Sequence, residues 1–269
     1  MKITILCDNI TSSPSLGAEH GLSVYIESEG MTLLFDTGAS PLFSKNAEKL
    51  GIDISAVDIA VVSHGHYDHG GGLPTFLKLN KCAKIYMSGR AFGDYYADSG
   101  EHYIGLDKTL RGERRIEYVD SVKTVNAYLT LFSNVCGNSP RPALNKRLLK
   151  KEGLCCIEDD FAHEVNAVIN FDNKTLLLAG CAHNGILNIL NRYEELFQSE
   201  PDYILGGLHL CDKCGSESEK KISSLANRLK AYKAKIFTCH CTGLCPYGIL
   251  KEILGDKIEY AAVGCSYEI

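Results

Sequence analysis

The sequence lacks an apolar run long enough to cross a membrane. A spanning helix needs roughly 18 or more consecutive apolar residues, and the apolar stretch at 175–180 ends far short of that. A cationic face is missing too. The formal net charge is −5, so the counterion release that drives binding to a phosphate backbone has no source. The densest basic group, Arg111, Arg114 and Arg115, reads as a solvated loop. These absences speak against a membrane or nucleic-acid partner and leave a small molecule, a phosphorylated one among the candidates. No charged leader, apolar segment and small-residue cleavage site open the chain, which begins in a strand-like alternation. A cytoplasmic location is the expectation. There the twelve cysteines should be reduced thiols or metal ligands rather than a disulfide framework.

What is present is an ordinary globular composition, with 45% apolar and 23% charged residues over 269 positions. One domain over 1–269 is the simplest reading. Period-two alternation predicts strands at 2–6, 22–27 and 31–35, and a fully buried strand at 58–62. Helical spacing follows at 41–50, with Gly51 at the stop position, and again at 74–79. The stretch 89–112 has no period and reads as an insertion over a site. Strands at 164–171 and 174–179 flank Asp172-Asn173, a tight-hairpin signal. Helix, strand, helix, strand, helix and strand then follow at 185–197, 203–208, 217–232, 234–238, 246–254 and 258–263. Two such alternating halves suggest an α/β fold of four layers, an αββα sandwich.

The chemistry concentrates at His64-Gly65-His66-Tyr67-Asp68-His69, after a strand and before three glycines. Imidazoles two residues apart in extended backbone point the same way and can hold one cation, while the turn after them can aim Asp68 and His69 at a second. Two further histidines stand at strand ends, His183 in Gly180-Cys181-Ala182-His183 and His240 in Cys239-His240-Cys241. His163, beside Glu164, competes with His183. His209 ends another strand and is a candidate substrate contact or proton donor. Asp8, Asn9 and His20 are rim candidates. The Cys211-x-x-Cys214 pair is a weak zinc or redox signal, and Cys239, Cys241 and Cys245 are candidates to join it in a zinc site.

The His64, His66, Asp68, His69 pattern resembles the H-x-H-x-D-H signature of the metallo-β-lactamase superfamily. Phe35-Asp36-Thr37-Gly38 resembles its first acidic motif, which implies that Asp36 orients a ligand. The resemblance implies the four-layer sandwich and two divalent ions, zinc first with manganese or iron as alternatives. It implies one ion on His64, His66 and His183, and the other on Asp68, His69 and His240. Many members bridge the ions with an aspartate where this chain has Cys181, so a thiolate, a water or a substrate oxygen is left to bridge. Along most of its length the chain resembles the branch containing methanopterin-type dihydropteroate synthase. Three activities follow as expectations: a metal-dependent hydrolase using Asp68 and His209, a pterin-arylamine transferase releasing diphosphate, and a non-catalytic redox or metal sensor.

Overall fold

The computed structural model describes residues 1–28, 30–212 and 215–269. Three separate clusters of buried hydrophobic side chains account for its architecture. One lies between two seven-stranded sheets, and the other two lie between each sheet and its own helices. Three apolar interfaces make four layers, helix, sheet, sheet and helix, so the expected αββα sandwich is the observed fold.

Both faces of each sheet are covered, so successive side chains of one strand enter different apolar clusters. In Met31–Phe35, Leu33 and Phe35 enter the core between the sheets while Leu34 packs under the helices. Ile59–Val61 divides the same way, with Ile59 and Val61 inward and Ala60 outward. The first sheet runs Ser266–Glu268, Lys2–Cys7, Ser23–Ser28, Met31–Phe35, Ile59–Val61, Lys84–Met87 and Ile116–Tyr118. Its first three pairings are antiparallel and its last three parallel. The second runs Ile258–Tyr260, Lys235–Thr238, Tyr203–Gly206, Lys174–Ala179, Asn166–Phe171, Leu129–Phe132 and Val122–Thr124. It begins parallel and ends antiparallel. The last strand of the chain pairs with the first.

Local signals set several boundaries. Helix Leu42–Lys49 ends in a Schellman motif: the Gly51 amide (φ 73°) donates to Glu48 O and the Ile52 amide to Ala47 O. Asp172 (φ 44°) and Asn173 (φ 59°) are both left-handed, the type I′ turn that matches strand twist. The helix expected over 217–232 begins later, at Glu219–Leu229, because Glu217 is held below its start by the Ala143 and Leu144 amides and by Lys221.

The stretch 89–112 does lie over the site, but it is not all loop. Tyr95–Ala97 and His102–Tyr103 join Leu149–Glu152 and Cys155–Glu158 in a four-stranded antiparallel cover sheet. The Tyr67 amide donates to Ile104 O at 2.8 Å, tying this cover to the histidine loop. Among the described residues no helix is long and apolar enough to cross a membrane.

Candidate metal centre

Strands of both sheets end at one edge of the sandwich, and the loops beyond them converge. Ile59–Val61 leads into His64, His66, Asp68 and His69; Lys174–Ala179 into Cys181 and His183; Tyr203–Gly206 into His209; Lys235–Thr238 into His240 and Cys241. Asp36, Ala182, His209 and His240 all have left-handed backbones, with φ between 48° and 60°. Such conformations cost non-glycine residues energy and gather where side chains must be aimed. Gly180 permits a close approach, since a Cβ there would come within 2.2 Å of Ser63 Oγ.

His64, His69, His183 and His240 are each oriented through the nitrogen that faces away from the site. Asp36 is fully buried and accepts from the Ser63 amide, the Ser63 hydroxyl and His69 Nδ1, each at 2.7 Å. The Ser63 hydroxyl thereby presents its lone pair to His64 Nδ1 at 2.8 Å. His183 Nδ1 donates to Asn145 Oδ1 at 3.0 Å, and the same amide donates to His183 O at 2.7 Å. His240 Nδ1 donates to Asn9 Oδ1 at 2.8 Å, while Asp8 accepts the His240 amide at 2.5 Å. These contacts turn Nε2 of all four rings inward.

Most of the inward nitrogens make no hydrogen bond. Nε2 of His64, His66, His183 and His240 is buried without a hydrogen-bond partner in each case. Desolvating an imidazole nitrogen and leaving it unsatisfied costs about 1–3 kcal/mol, so the three of His64, His66 and His183, gathered together with no carboxylate beside them, are anomalous unless a cation satisfies them. Donor atoms of His64, His66 and His183 all lie within 4.8 Å of one another. On the far side, Asp68 Oδ2 lies 3.2 Å from His240 Nε2, 3.2 Å from His20 Nε2 and 3.6 Å from His69 Nε2. Cys181 Sγ sits between, 3.1 Å from His69 Nε2 and grouped with His64, with His183 and His209, and with His240 and Cys241.

Electrostatics divide the site in the same way. Burial, reinforced by neighbouring imidazoles, drives the pKa of His64 and His183 well below normal and that of His66 to about 3. Burial also opposes a charge on His240, but the Asp68 carboxylate outweighs it and raises the pKa to about 9. Asp68 likewise resists its own desolvation because His69, His20 and His240 surround it, and it falls well below the carboxylate range. One side is thus a neutral imidazole cage and the other carries charge.

The cluster opens into a cavity of about 500 Å³ beneath the cover sheet. Ile104, Leu144 and Leu148 give it an apolar wall, and Arg147 crosses its mouth between Asp98 at 2.8 Å and Asp212 at 3.1 Å.

Residues 16–122 match the family model described as the metallo-beta-lactamase superfamily. An uncharacterized protein of Methanocaldococcus jannaschii is 30% identical over 97% of this chain and 98% of its own length. A crystal structure described as Tm1679, a metal-dependent hydrolase of the beta-lactamase superfamily, superposes with a TM-score of 0.85 at 29% identity, covering 100% of this chain and 99% of that one. The chain belongs to the metallo-β-lactamase superfamily. Its members are mostly enzymes, largely hydrolases, and typically bind divalent metals. From the same M. jannaschii comes a relative named 7,8-dihydropterin-6-methyl-4-(beta-D-ribofuranosyl)-aminobenzene-5'-phosphate synthase, 27% identical over 92% of this chain and 89% of its own length.

Against that superfamily pattern, the structure gathers His64, His66, Asp68, His69, Cys181, His183, His209 and His240 at one centre, with Asp36 behind it. His163 also lies close, but both of its nitrogens are engaged: Nδ1 accepts the Gly65 amide at 2.9 Å and Nε2 donates to Asp159 at 3.0 Å. It braces the His64–His66 loop. Glu164 accepts the amides of His183 and Asn184 and braces the other. Of the rim candidates, Asp8 and Asn9 hold His240, and only His20 faces Asp68.

Ser63 and Asn145 are additions that the sequence did not disclose, and Cys241, a candidate only for a zinc site with Cys211 and Cys214, stands instead beside Cys181 and His240. Asn145 has no motif around it and meets His183 only through the cover. Of the downstream cysteines, Cys239 fills the core between the sheets, Cys245 is exposed and Cys211 lines the cavity. Cys214 falls outside the described residues.

Proposed function

We propose that this protein is a metal-dependent hydrolase holding two divalent ions and acting on a small ester, phosphodiester or related molecule. The inward imidazole nitrogens of His64, His66 and His183, gathered without a hydrogen-bond partner, carry the proposal. In this reading His64, His66 and His183 hold the first ion and Asp68, His69 and His240 the second, with Cys181 between them. Zinc suits imidazole, carboxylate and thiolate donors together; iron and manganese are alternatives. Divalent ions there supply Lewis acidity and bring the pKa of water down towards about 7.

The rest of the reaction belongs to the chain's own groups. Asp36 and Asn145 keep His69 and His183 in the tautomer that leaves Nε2 free. The apolar wall excludes bulk water from the bond to be cleaved and favours a substrate with a hydrophobic portion. A volume near 500 Å³ suits a small molecule. His209 has its ring 4.3 Å from that of His183 and carries a free Nδ1, so it can hold a proton for the leaving group. The test is turnover of aryl esters, lactones and phosphodiesters by metal-reconstituted protein. The reading expects one class to be hydrolysed, with at least a 100-fold loss in His66→Ala. Absence of turnover across all three by a fully metallated protein overturns it.

The synthase-named relative favours a second reading, in which the same centre grips a diphosphate while an arylamine attacks a pterin methylene carbon. Diphosphate release that depends on an arylamine, with no release in water alone, would favour it over hydrolysis.

A further inference from the structure

The donors around His240 differ in kind from those around His66. Sγ of Cys181, Sγ of Cys241 and a ring nitrogen of His240 all lie within 4.8 Å of one another, and each residue is at most 3% exposed. Asn9 occupies His240 Nδ1, so the unpartnered Nε2 is the atom that faces the sulfurs. It also makes an ion-pair contact of 3.2 Å with Asp68 Oδ2.

We infer that the second metal position is a thiolate site to which Cys241 contributes directly, along with Cys181 and His240. This rests on the two-ion reading above and adds sulfur donors to the Asp68, His69 and His240 set of its second half. Cys241 Sγ is placed as a ligand would be. The His209 amide donates to it at 3.3 Å, a contact that suits a charged sulfur. Gly207 leaves its space open, since a Cβ there would come within 2.4 Å of the sulfur. A cysteine serving as a small buried hydrophobe needs neither the amide nor a neighbouring imidazole with an orphaned nitrogen.

Binding there replaces each S–H bond with a sulfur–metal bond and releases the proton to solvent, with no change of oxidation state. Thiolates favour zinc and iron over magnesium and manganese, which prefer oxygen donors. The two halves of the centre therefore differ in selectivity: three imidazoles bind the first ion, and a sulfur-rich set makes the second position discriminate against hard ions.

Cobalt reconstitution of the whole chain tests this. Wild type should bind two cobalt ions and show an intense sulfur-to-cobalt charge-transfer band, and Cys241→Ser should lose about half of it while the His66 position stays filled. Manganese should compete poorly for the second position in wild type and at least tenfold better in a Cys181→Ser, Cys241→Ser double variant. If the variants fail to fold, X-ray absorption of zinc-loaded wild type replaces them, with sulfur scatterers expected at about 2.3 Å. Two bound ions with a purely nitrogen and oxygen shell, or a band unchanged by Cys241→Ser, overturn the thiolate assignment alone. Failure to bind cobalt at all overturns the two-ion reading beneath it.

Discussion

Replacing Asp36 with asparagine tests whether ligand orientation resides in the buried hydrogen bonds behind the site. The change preserves volume, and asparagine tolerates the φ of 60° at this position. Its carbonyl oxygen can still accept from the Ser63 amide, and the Ser63 hydroxyl can turn to accept from the new amide. The His69 Nδ1 proton, now 2.7 Å from Asp36 Oδ2, loses its acceptor. A buried donor stranded in this way costs about 1–3 kcal/mol, the expected destabilisation of the metal-free fold. Restoring that hydrogen bond would require the tautomer with its proton on Nε2, which blocks coordination through that atom. The expected loss of affinity for the second ion is about 10–100-fold, or about 1.4–2.8 kcal/mol. Zinc competition against a chromogenic chelator reads the affinity, and urea unfolding of metal-free protein reads the stability. Unchanged affinity for both ions together with an unchanged unfolding midpoint would refute the reasoning.

Asn145→Ala frees His183 Nδ1 and should weaken the first ion about 10–100-fold while sparing the second, again read by chelator competition. Gly180→Ala forces a Cβ against Ser63 Oγ and should cost about 1–3 kcal/mol in urea unfolding. Metal-free protein should lose stability as pH falls from about 6.5 towards 4. In this window the unfolded chain protonates His64, His66 and His183, whereas the fold holds their pKa values below normal. Three such groups give about 4 kcal/mol per pH unit at most. His240 does not offset this, because a pKa raised to about 9 adds stability that is already complete below about 6.5. A flat or rising denaturant midpoint between pH 6.5 and 4 would contradict the burial argument.

Much of the site was legible because its donors are local or sit at ends of strongly patterned strands. His64, His66, Asp68 and His69 share one loop, and His183 and His240 each follow an apolar strand. Helix ends and tight turns were legible where one residue dictates the geometry, as Gly51 and the Asp172-Asn173 pair do. The cover sheet was not. Tyr95–Ala97 is three residues long, and its partner Leu149–Glu152 lies some fifty positions away, so no local period marks the pairing. Strand Leu129–Phe132 was also hidden: it is four residues long, with Leu129 and Leu131 between the sheets and Phe132 beneath the helices, too short for a period to stand out. Cys241 was visible only as a possible member of a zinc site with Cys211 and Cys214. Its position beside Cys181 depends on a parallel pairing of distant strands and on the space left by Gly207.

The central claim is that these donors form two cation sites rather than a polar core. Metal analysis of purified protein, repeated after reconstitution with zinc, iron and manganese, tests it most directly. The account predicts two ions per chain, falling to one in His183→Ala and to one in His240→Ala. Less than one ion per chain in native and in every reconstituted sample would contradict it.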